Sequence, residues 1–263
     1  MEASEVAACW EANAETWTRQ ARAGYDLYRD AQNTPAFFAN LPDIDGLDGL
    51  DIGCGEGSNT RKLAEAGASI TAIDIAPTFI RHAQEAEAAT PLRITYRVAD
   101  GMALPFADAS FDFATAFMSL MDMPHQDRVL AEAKRVLKPS GFLQFSILHP
   151  CFATPGRRVM RDEAGNVLGI EVREYFRISD GEIESWRFGA APDEEKARVE
   201  PFRVPRFHRT LSDWINLLVA TGFRIEHMHE PGVDEATAKA VPYLADTYIA
   251  PLFLHMRVRK PVR

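Results

Sequence analysis

The chain lacks the long apolar runs of a membrane protein. No stretch reaches the roughly 18 consecutive apolar residues that a transmembrane helix needs. The first residues, Met1 to Glu5, also lack the basic and apolar regions of a secretion signal. We therefore expect no membrane span and a cytoplasmic location.

Cysteine is scarce as well, and the 38 acidic residues outnumber the 29 lysines and arginines. The 3 cysteines, Cys9, Cys54 and Cys151, are far apart and odd in number, which argues against disulfide frameworks and zinc sites. The histidines find no acidic partner at metal-ligand spacing, so we predict no metal. The formal net charge of −9 disfavours a phosphate backbone. We expect a small-molecule partner and no nucleic acid.

The most informative stretch runs Leu50-Asp51-Ile52-Gly53-Cys54-Gly55-Glu56-Gly57. It predicts a buried strand that ends in a glycine-rich turn and leads into a helix. Glycine lets a ligand come against the main chain, and the free N–H groups of a helix start point into the same space. The pattern favours a nucleotide-binding turn, although a plain turn between strand and helix could carry the same glycines.

Two more aspartates follow predicted strands. Asp74 closes the strand Ser69–Ile73, about twenty residues beyond the glycines, where a carboxylate can bind both hydroxyls of a ribose. Asp100 closes the strand Ile94–Ala99. The carboxyl ends of parallel strands share one edge of a sheet, and ligands bind outside it. We therefore expect these aspartates and Asp51 to line one negative site that suits a cationic ligand.

The glycine turn and the aspartates belong to a longer series of motifs. The motifs are Leu50–Gly57, the Asp74 end of the second strand, Ala99–Phe106, Ser110–Asp112 and Glu132–Gly141. In this order they resemble the class I S-adenosylmethionine-dependent methyltransferases, in the small-molecule branch that includes the ubiquinone and menaquinone enzymes. The resemblance covers residues 47–149. It departs at Gly49, where the family usually has a branched apolar residue, so we expect the first strand to be short or irregular at its start.

The resemblance also implies a fold. It implies an α/β, Rossmann-like, seven-stranded and mostly parallel sheet with helices on both faces, which fits the alternation of strands and helices with short connections. The expected organisation is an N-terminal helical lid over residues 1–42, a core over 43–152, a small antiparallel cap inserted over 153–205, and the C-terminal part of the sheet over 206–263.

The resemblance further implies S-adenosylmethionine as the cofactor and S-adenosylhomocysteine as its product. The implied cofactor-binding residues are Asp51, Gly53 and Gly55 at the methionine part, Asp74 at the ribose, Asp100 and Met102 at the adenine, and Cys54, Ile75, Gly101, Phe117 and Arg19 around them. We interpret Cys54 as a small packing residue, because a thiolate beside the sulfonium would itself be methylated.

The acceptor is presented in this family from the ends of the fourth and fifth strands. We expect Met118 and Met121 to bind substrate, together with Trp17, Tyr25 and Tyr28 of the N-terminal segment. The family often has an aromatic-rich helix there as a lid. The alternatives are a helix that simply packs on the sheet and methionines that belong to the core.

His149 follows the fifth predicted strand and is the predicted catalytic and substrate-binding histidine. Imidazole titrates near physiological pH, and Pro150 fixes the backbone just after it. A hydrogen-bonded structural histidine is the alternative. An amine acceptor needs no base if it arrives unprotonated, whereas a hydroxyl acceptor would benefit from one.

The expected cap contains two stretches of alternating polarity, Val167–Ile178 and Glu182–Phe188, separated by Ser179-Asp180-Gly181. Asp-Gly between alternating runs predicts a hairpin. A turn at Glu163–Asn166 can add a third antiparallel strand.

Together these patterns predict a methyltransferase that uses S-adenosylmethionine to N- or O-methylate a small molecule, such as a secondary metabolite. One alternative is a regulatory protein of the same fold that binds the cofactor without catalysis. A nicotinamide oxidoreductase is disfavoured, because Gly53-x-Gly55-x-Gly57 lacks the G-x-G-x-x-G spacing.

Overall fold

The computed structural model describes residues 1–262 and is built around a seven-stranded sheet. The strands of the chain are β1 (Asp48–Ile52), β2 (Ser69–Asp74), β3 (Thr95–Val98), β4 (Phe111–Phe117), β5 (Leu137–Leu148), β6 (Arg158–Arg161), β7 (Val167–Glu171), β8 (Glu182–Trp186), β9 (Phe202–Arg206), β10 (Arg224–His229) and β11 (Phe253–Arg259). The central sheet has the order β10-β11-β5-β4-β1-β2-β3. Only β11 runs antiparallel to its neighbours, so the predicted, mostly parallel sheet is confirmed.

Helices connect most of these strands. They are α1 (Ala3–Arg22), α2 (Thr34–Ala39), α3 (Ser58–Glu65), α4 (Pro77–Ala89), α5 (Gln126–Val136), α6 (Asp193–Arg198), α7 (Leu211–Ala220), α8 (Glu235–Ala240) and α9 (Asp246–Ile249). A π-helical turn covers Arg29–Asn33, and 3₁₀ turns cover Leu120–Asp122 and Pro242–Leu244. Within the part of the chain that the structure describes, no helix combines the length and the apolarity needed to cross a bilayer.

Two apolar layers cover the two faces of the sheet. Side chains alternate between the faces along each strand. Leu50 and Ile52 of β1 belong to a buried cluster with side chains of α5 and α7, whereas Ile70 and Ala72 of β2 belong to a second cluster with side chains of α3 and α4. The helices therefore lie on both faces, and the ends of the strands are left open for a site.

Gly49 lies inside β1 in regular register, opposite Ile70 on one side and Phe113 on the other. A Cβ atom at Gly49 would come within 2.3 Å of the Phe113 ring and 2.7 Å of Ile70. The ring occupies the space of the missing side chain. The strand is short, as expected, but the pairing of its first residues is not irregular.

The inserted segment between β5 and α7 differs from the expected three-stranded sheet. The turn at Glu163–Asn166 does join a hairpin of β6 and β7. However, β8 pairs with β9 and not with the stretch before Ser179-Asp180-Gly181, so the predicted Asp-Gly hairpin is wrong. Residues 172–178 form no strand, and Phe176 and Ile178 are exposed there. The insertion therefore contains two separate two-stranded sheets.

Candidate active site

A cavity of about 930 Å³ lies at the carboxyl edge of the parallel strands. Its walls come from four regions: the strand ends and glycine turn of the core, helix α1 with the loop after it, the insertion with β8 and β9, and a C-terminal region with Tyr243, Leu252 and Phe253. Small-molecule sites usually have volumes of about 300–1,000 Å³. This cavity is at the upper end of that range, so it has room for an acceptor beside a nucleotide-sized ligand.

Most of the residues predicted from the sequence line this cavity. They are Trp17, Tyr25, Tyr28, Asp51, Gly53, Cys54, Gly55, Asp74, Ile75, Asp100, Gly101, Met102, Phe117, Met118 and Met121. The residues of the core meet there because the parallel strands end at one edge of the sheet, and Trp17, Tyr25 and Tyr28 reach the cavity from α1 and the segment after it.

The glycine turn is open to a ligand at one position. Gly53, Gly55 and Gly57 have φ angles of 75°, 56° and 87°, which favour glycine. A Cβ atom would lie 2.5 Å from Cβ of Ser119 at Gly53, and 2.7 Å from the Tyr96 hydroxyl oxygen at Gly57. At Gly55 no atom lies within 4 Å of the added Cβ. Gly55 therefore presents bare main chain to open space.

Asp51 lies buried beneath this turn. Its carboxylate accepts hydrogen bonds from the Thr60 hydroxyl of α3 at 2.6 Å and from the Thr115 hydroxyl of β4 at 2.8 Å. Burial raises the pKa of Asp51, and the two hydroxyls oppose that rise. The aspartate is thus held rigidly at the centre of the strand ends.

Asp74 bridges two loops. Its Oδ2 accepts from the backbone N–H of Gly55 at 2.8 Å, and its Oδ1 accepts from the N–H of Ala76 at 2.9 Å. Burial raises the pKa of Asp74 to about 6, against the two N–H groups. Burial and the nearby aspartates also raise the pKa of the Cys54 thiol well above its usual value. The thiol is therefore protonated at neutral pH, in agreement with a packing role.

The chain bends sharply where β4 ends. Met118 has a φ of 54°, uncommon for a residue with a side chain, and its N–H donates to the Ser146 carbonyl of β5 at 2.8 Å. The Ser119 hydroxyl then donates to the Ile52 carbonyl at 2.7 Å. Strained backbone of this kind is common at functional sites. Here the bend brings the residues after β4 next to the glycine turn.

Helix α1 closes one side of the cavity through aromatic packing. The Trp17 ring packs against Trp186, Phe188 and Phe202 of the insertion, with ring centroids 5.0–5.1 Å apart. At the end of the helix, Arg22 pairs with Glu56 of the glycine turn at 3.3 Å. The helix is therefore attached both to the insertion and to the core.

Arg19 does not reach the cavity. It is half exposed, and its guanidinium pairs with Glu195 of α6. Residues two apart on a helix are rotated by roughly 200° about its axis, so Arg19 and Trp17 point to different sides. The prediction of Arg19 as a cofactor-binding residue is not supported by its position.

His149 is buried behind the cavity wall and is not among its lining residues. Its Nε2 lies 2.7 Å from a carboxylate oxygen of Glu230, and its Nδ1 accepts from the N–H of Cys151 at 3.1 Å. Burial lowers the pKa of the imidazole, against the pull of Glu230. With both ring nitrogens bonded to protein, His149 fits the structural alternative and is poorly placed to act as a base or to bind substrate.

The structure adds charged residues to the wall that sequence reasoning missed. Asp122 follows β4 in a 3₁₀ turn, and its carboxylate pairs with Arg206 of β9. Arg206 also pairs with Glu184 of β8 at 3.2 Å. Elsewhere Arg157 lines the cavity and donates to the buried Asp246 at 2.5 Å. Of these residues, Asp122 is the one with a signal in the sequence, because it is an acidic residue shortly after the apolar stretch that forms β4.

The comparison with known proteins agrees with this geometry. A family model described as a methyltransferase domain matches residues 50–145, which include most of β1, all of β2 to β4 and most of β5. Residues 50–145 of this chain are therefore similar to that methyltransferase domain. The glycine turn, the three strand-end aspartates and the bend after β4 all fall within the matched residues.

Two curated relatives illustrate the breadth of the similarity. The domain is similar to a malonyl-[acyl-carrier protein] O-methyltransferase of Pseudescherichia vulneris, at 34% identity over 131 residues, covering 49% of this chain and 51% of that protein. It is also similar to a 27-O-demethylrifamycin SV methyltransferase of Amycolatopsis mediterranei, at 39% identity over 134 residues, covering 48% and 49%. The chain thus spans about half the length of the curated relatives it matches.

The structural similarity extends beyond the methyltransferase domain. A crystal structure of an S-adenosylmethionine dependent methyltransferase from Mesorhizobium loti has a TM-score of 0.68 and 28% sequence identity, and the match covers 86% of this chain and 96% of that one.

Proposed function

We propose that this chain binds S-adenosylmethionine in the cavity and transfers its methyl group to a small-molecule acceptor. The observation that carries the proposal is the position of Gly55 and Asp74 at one open edge, where bare main chain and a buried carboxylate meet. When bound there, the cofactor supplies an electrophilic methyl group on a sulfonium.

The residues present fit this cofactor. The open space at Gly55 admits the methionine part against the main chain. Asp74 has lone pairs left for ribose hydroxyls after accepting its two backbone hydrogen bonds. Asp100 and Met102, beside the end of β3, would hold the adenine, and Asp51 adds the negative charge that suits a cation.

The chain's contribution to the reaction is mainly positional. Orientation of a nucleophile against an activated carbon can supply about 7–11 kcal/mol of barrier reduction. Phe117 and Met118 line the cavity at the end of β4, and residues of α1 and of the insertion complete its walls. Since the cavity continues past Phe117 to β8, space for an acceptor exists, and no observation favours the non-catalytic alternative.

The acceptor is proposed to be a small metabolite methylated on oxygen or nitrogen. The net charge of −9 supports a partner other than nucleic acid. The 3 cysteines are all free, which supports a reducing compartment such as the cytoplasm.

The test has two measurements on one purified sample. Calorimetry with S-adenosylmethionine and S-adenosylhomocysteine should show binding at one site. Release of S-adenosylhomocysteine should then be followed with a panel of phenols, naphthols, amines and carboxylic acids. A sample that is folded but binds neither compound would refute the proposal, whereas binding with turnover of one class would establish it.

A further inference from the structure

We propose that Asp122 is the catalytic base of this site and that the acceptor is an aromatic hydroxyl compound. This inference rests on the methyltransferase function proposed above. It goes further because it names the group that takes the proton and the class of acceptor.

The position of Asp122 carries the proposal. The residue is only 4% exposed, yet it lines the cavity. It belongs to the segment that the Met118 bend brings over the glycine turn, where a Cβ atom at Gly53 would come within 3.0 Å of Met123, the next residue along. A group on Asp122 is therefore close to the junction between the cofactor edge and the acceptor half of the cavity.

Within the part of the chain that the structure describes, only one of the two carboxylate oxygens of Asp122 accepts a hydrogen bond. Its Oδ1 pairs with the Arg206 guanidinium. Among residues 1–262, no hydrogen bond engages its Oδ2. The N–H of Phe207 donates to the Met121 carbonyl at 2.9 Å, which fixes the 3₁₀ turn against β9. One oxygen thus orients the group, and the other is left to accept a proton.

The surroundings adjust this carboxylate for proton transfer near neutral pH. The pKa of Asp122 is raised to about 7. Burial is the main cause of this rise, the negative charge of Glu184 adds to it, and the positive charge of Arg206 opposes it. Arg206 of β9 and Glu184 of β8 are the charged groups that act on it, and Arg206 is shared between the two carboxylates. A base is most efficient when its pKa lies near the working pH.

The acceptor class follows from the need for a base and from the walls. A neutral amine can attack without losing a proton first, whereas a hydroxyl gains from a base. The walls of the same cavity include Trp17, Trp186 and Phe188, and aromatic rings prefer to stack edge or offset against one another. A flat hydroxylated ring matches both features.

The step balances as follows. The acceptor O–H bond breaks and its proton moves to Oδ2 of Asp122. The freed electron pair of the oxygen forms the new O–CH₃ bond, while the electron pair of the C–S bond stays on sulfur and leaves a neutral thioether. Asp122 then returns its proton to solvent when the product leaves.

The first test compares Asp122→Asn with the wild-type enzyme on two probes. Asn keeps the shape and the contact with Arg206 but takes no proton. With 2-naphthol we expect kcat to fall by about 10²–10⁴-fold. With 4-nitrophenol, which arrives already ionised at about pH 8.5, we expect a loss below about tenfold. Cofactor affinity, measured by calorimetry, should be unchanged and shows that the variant is folded.

The second test uses Glu184→Gln and the pH profile of the reaction. Since the negative charge of Glu184 raises the pKa of Asp122, its removal should move the acid limb of kcat to lower pH. The matched control is Asp246→Asn, which also weakens a buried pair of aspartate and arginine but should leave the acid limb in place. This test stands even if Asp122→Asn does not fold.

Four results would overturn the inference: equal losses with both probes in Asp122→Asn, an acid limb that does not move in Glu184→Gln, turnover of amines only, or a wild-type enzyme that binds the cofactor and methylates no phenol or naphthol. Absence of cofactor binding would instead refute the underlying function.

Discussion

Oδ2 of Asp74 accepts a hydrogen bond from the backbone N–H of Gly55 over 2.8 Å. This contact joins the end of β2 to the middle of the glycine turn that follows β1. It sets the bare main chain of Gly55 beside the carboxylate that we propose as the ribose-binding group, before any ligand arrives. A site organised in advance loses less conformational freedom on binding.

Replacing Asp74 by Ala should weaken S-adenosylmethionine binding by about 1–3 kcal/mol, the scale of a lost charge-assisted hydrogen bond. Calorimetry on both proteins measures the difference. Asp112→Ala is the matched control, because Asp112 lies at the opposite edge of the sheet and pairs with Lys138 at 2.9 Å. Unchanged affinity in Asp74→Ala would contradict the assignment of this strand end to the cofactor.

Replacing Gly55 by Ala should lower cofactor affinity as well as stability, whereas a matched glycine outside the cavity should affect stability alone. The φ of 56° makes Ala cost about 1–2 kcal/mol of stability, and the new methyl group enters the open space of the cavity. We expect affinity for S-adenosylhomocysteine to fall by at least about tenfold, or about 1.4 kcal/mol. Gly165→Ala is the control, since Gly165 has a φ of 87° and also has no atom near its Cβ position. It should lose similar stability and keep its affinity; equal affinities in the two variants would exclude Gly55 from the binding site.

His149→Gln should lower stability without changing the chemistry. Gln can replace only one of the two hydrogen bonds of the buried imidazole, so the free energy of unfolding should fall by about 1–3 kcal/mol. Urea denaturation measures this loss. The pH profile of kcat with 2-naphthol should keep its acid limb. If the limb disappeared, His149 would be the base after all and the assignment to Asp122 would fail.

Glu226→Gln should destabilise the protein in a pH-dependent way. Hydrogen bonds from Arg259, and then from Arg257, lower the pKa of Glu226 to about 2. Its stabilising effect is therefore present above pH 4.5, the usual pKa of the group, and is lost as the pH falls through about 2. At pH 7 we expect a loss of about 1 kcal/mol, because the pair is partly screened by solvent.

Urea denaturation of Glu226→Gln at pH 7, 5 and 3.5 follows this loss, which should shrink in the most acidic sample. The control is Glu235→Gln, whose exposed pair with Lys239 should contribute less than about 0.5 kcal/mol at any pH. A loss that stayed constant with pH would mean that the charge of Glu226 has no part in it.

Short-range patterns predicted the core well. The strand predicted at Ser69–Ile73 appears as Ser69–Asp74, and the strand predicted at Ile94–Ala99 appears as Thr95–Val98, because their length and composition leave few other structures. The glycine turn and the aspartates at 51, 74 and 100 reach one cavity for a similar reason: a parallel sheet with helical connections places every strand end at the same edge.

Long-range pairing was beyond such patterns. Ser179-Asp180-Gly181 favours a hairpin locally, but Phe202–Arg206 supplies a better partner for β8, since Trp186 and Phe202 then pack with Trp17 in one aromatic cluster. The proposed change of base from His149 to Asp122 has the same origin. His149 and Asp122 both follow strands of the sheet. Glu230 contacts His149, and Arg206 contacts Asp122. These tertiary contacts decide which of the two groups keeps an atom free to accept a proton.

The sequence by itself determined the sheet, the glycine turn and the three acidic strand ends, because these depend on residues that are close along the chain or on the order of strands. The tertiary structure alone decided the part of the cavity that we propose for the acceptor. Its walls come from α1, the end of β4 and the insertion, which are distant in sequence, and the pKa of Asp122 depends on how deeply those segments bury it beside Arg206 and Glu184. Burial and charge at that point follow from packing, and no local pattern of residues encodes them.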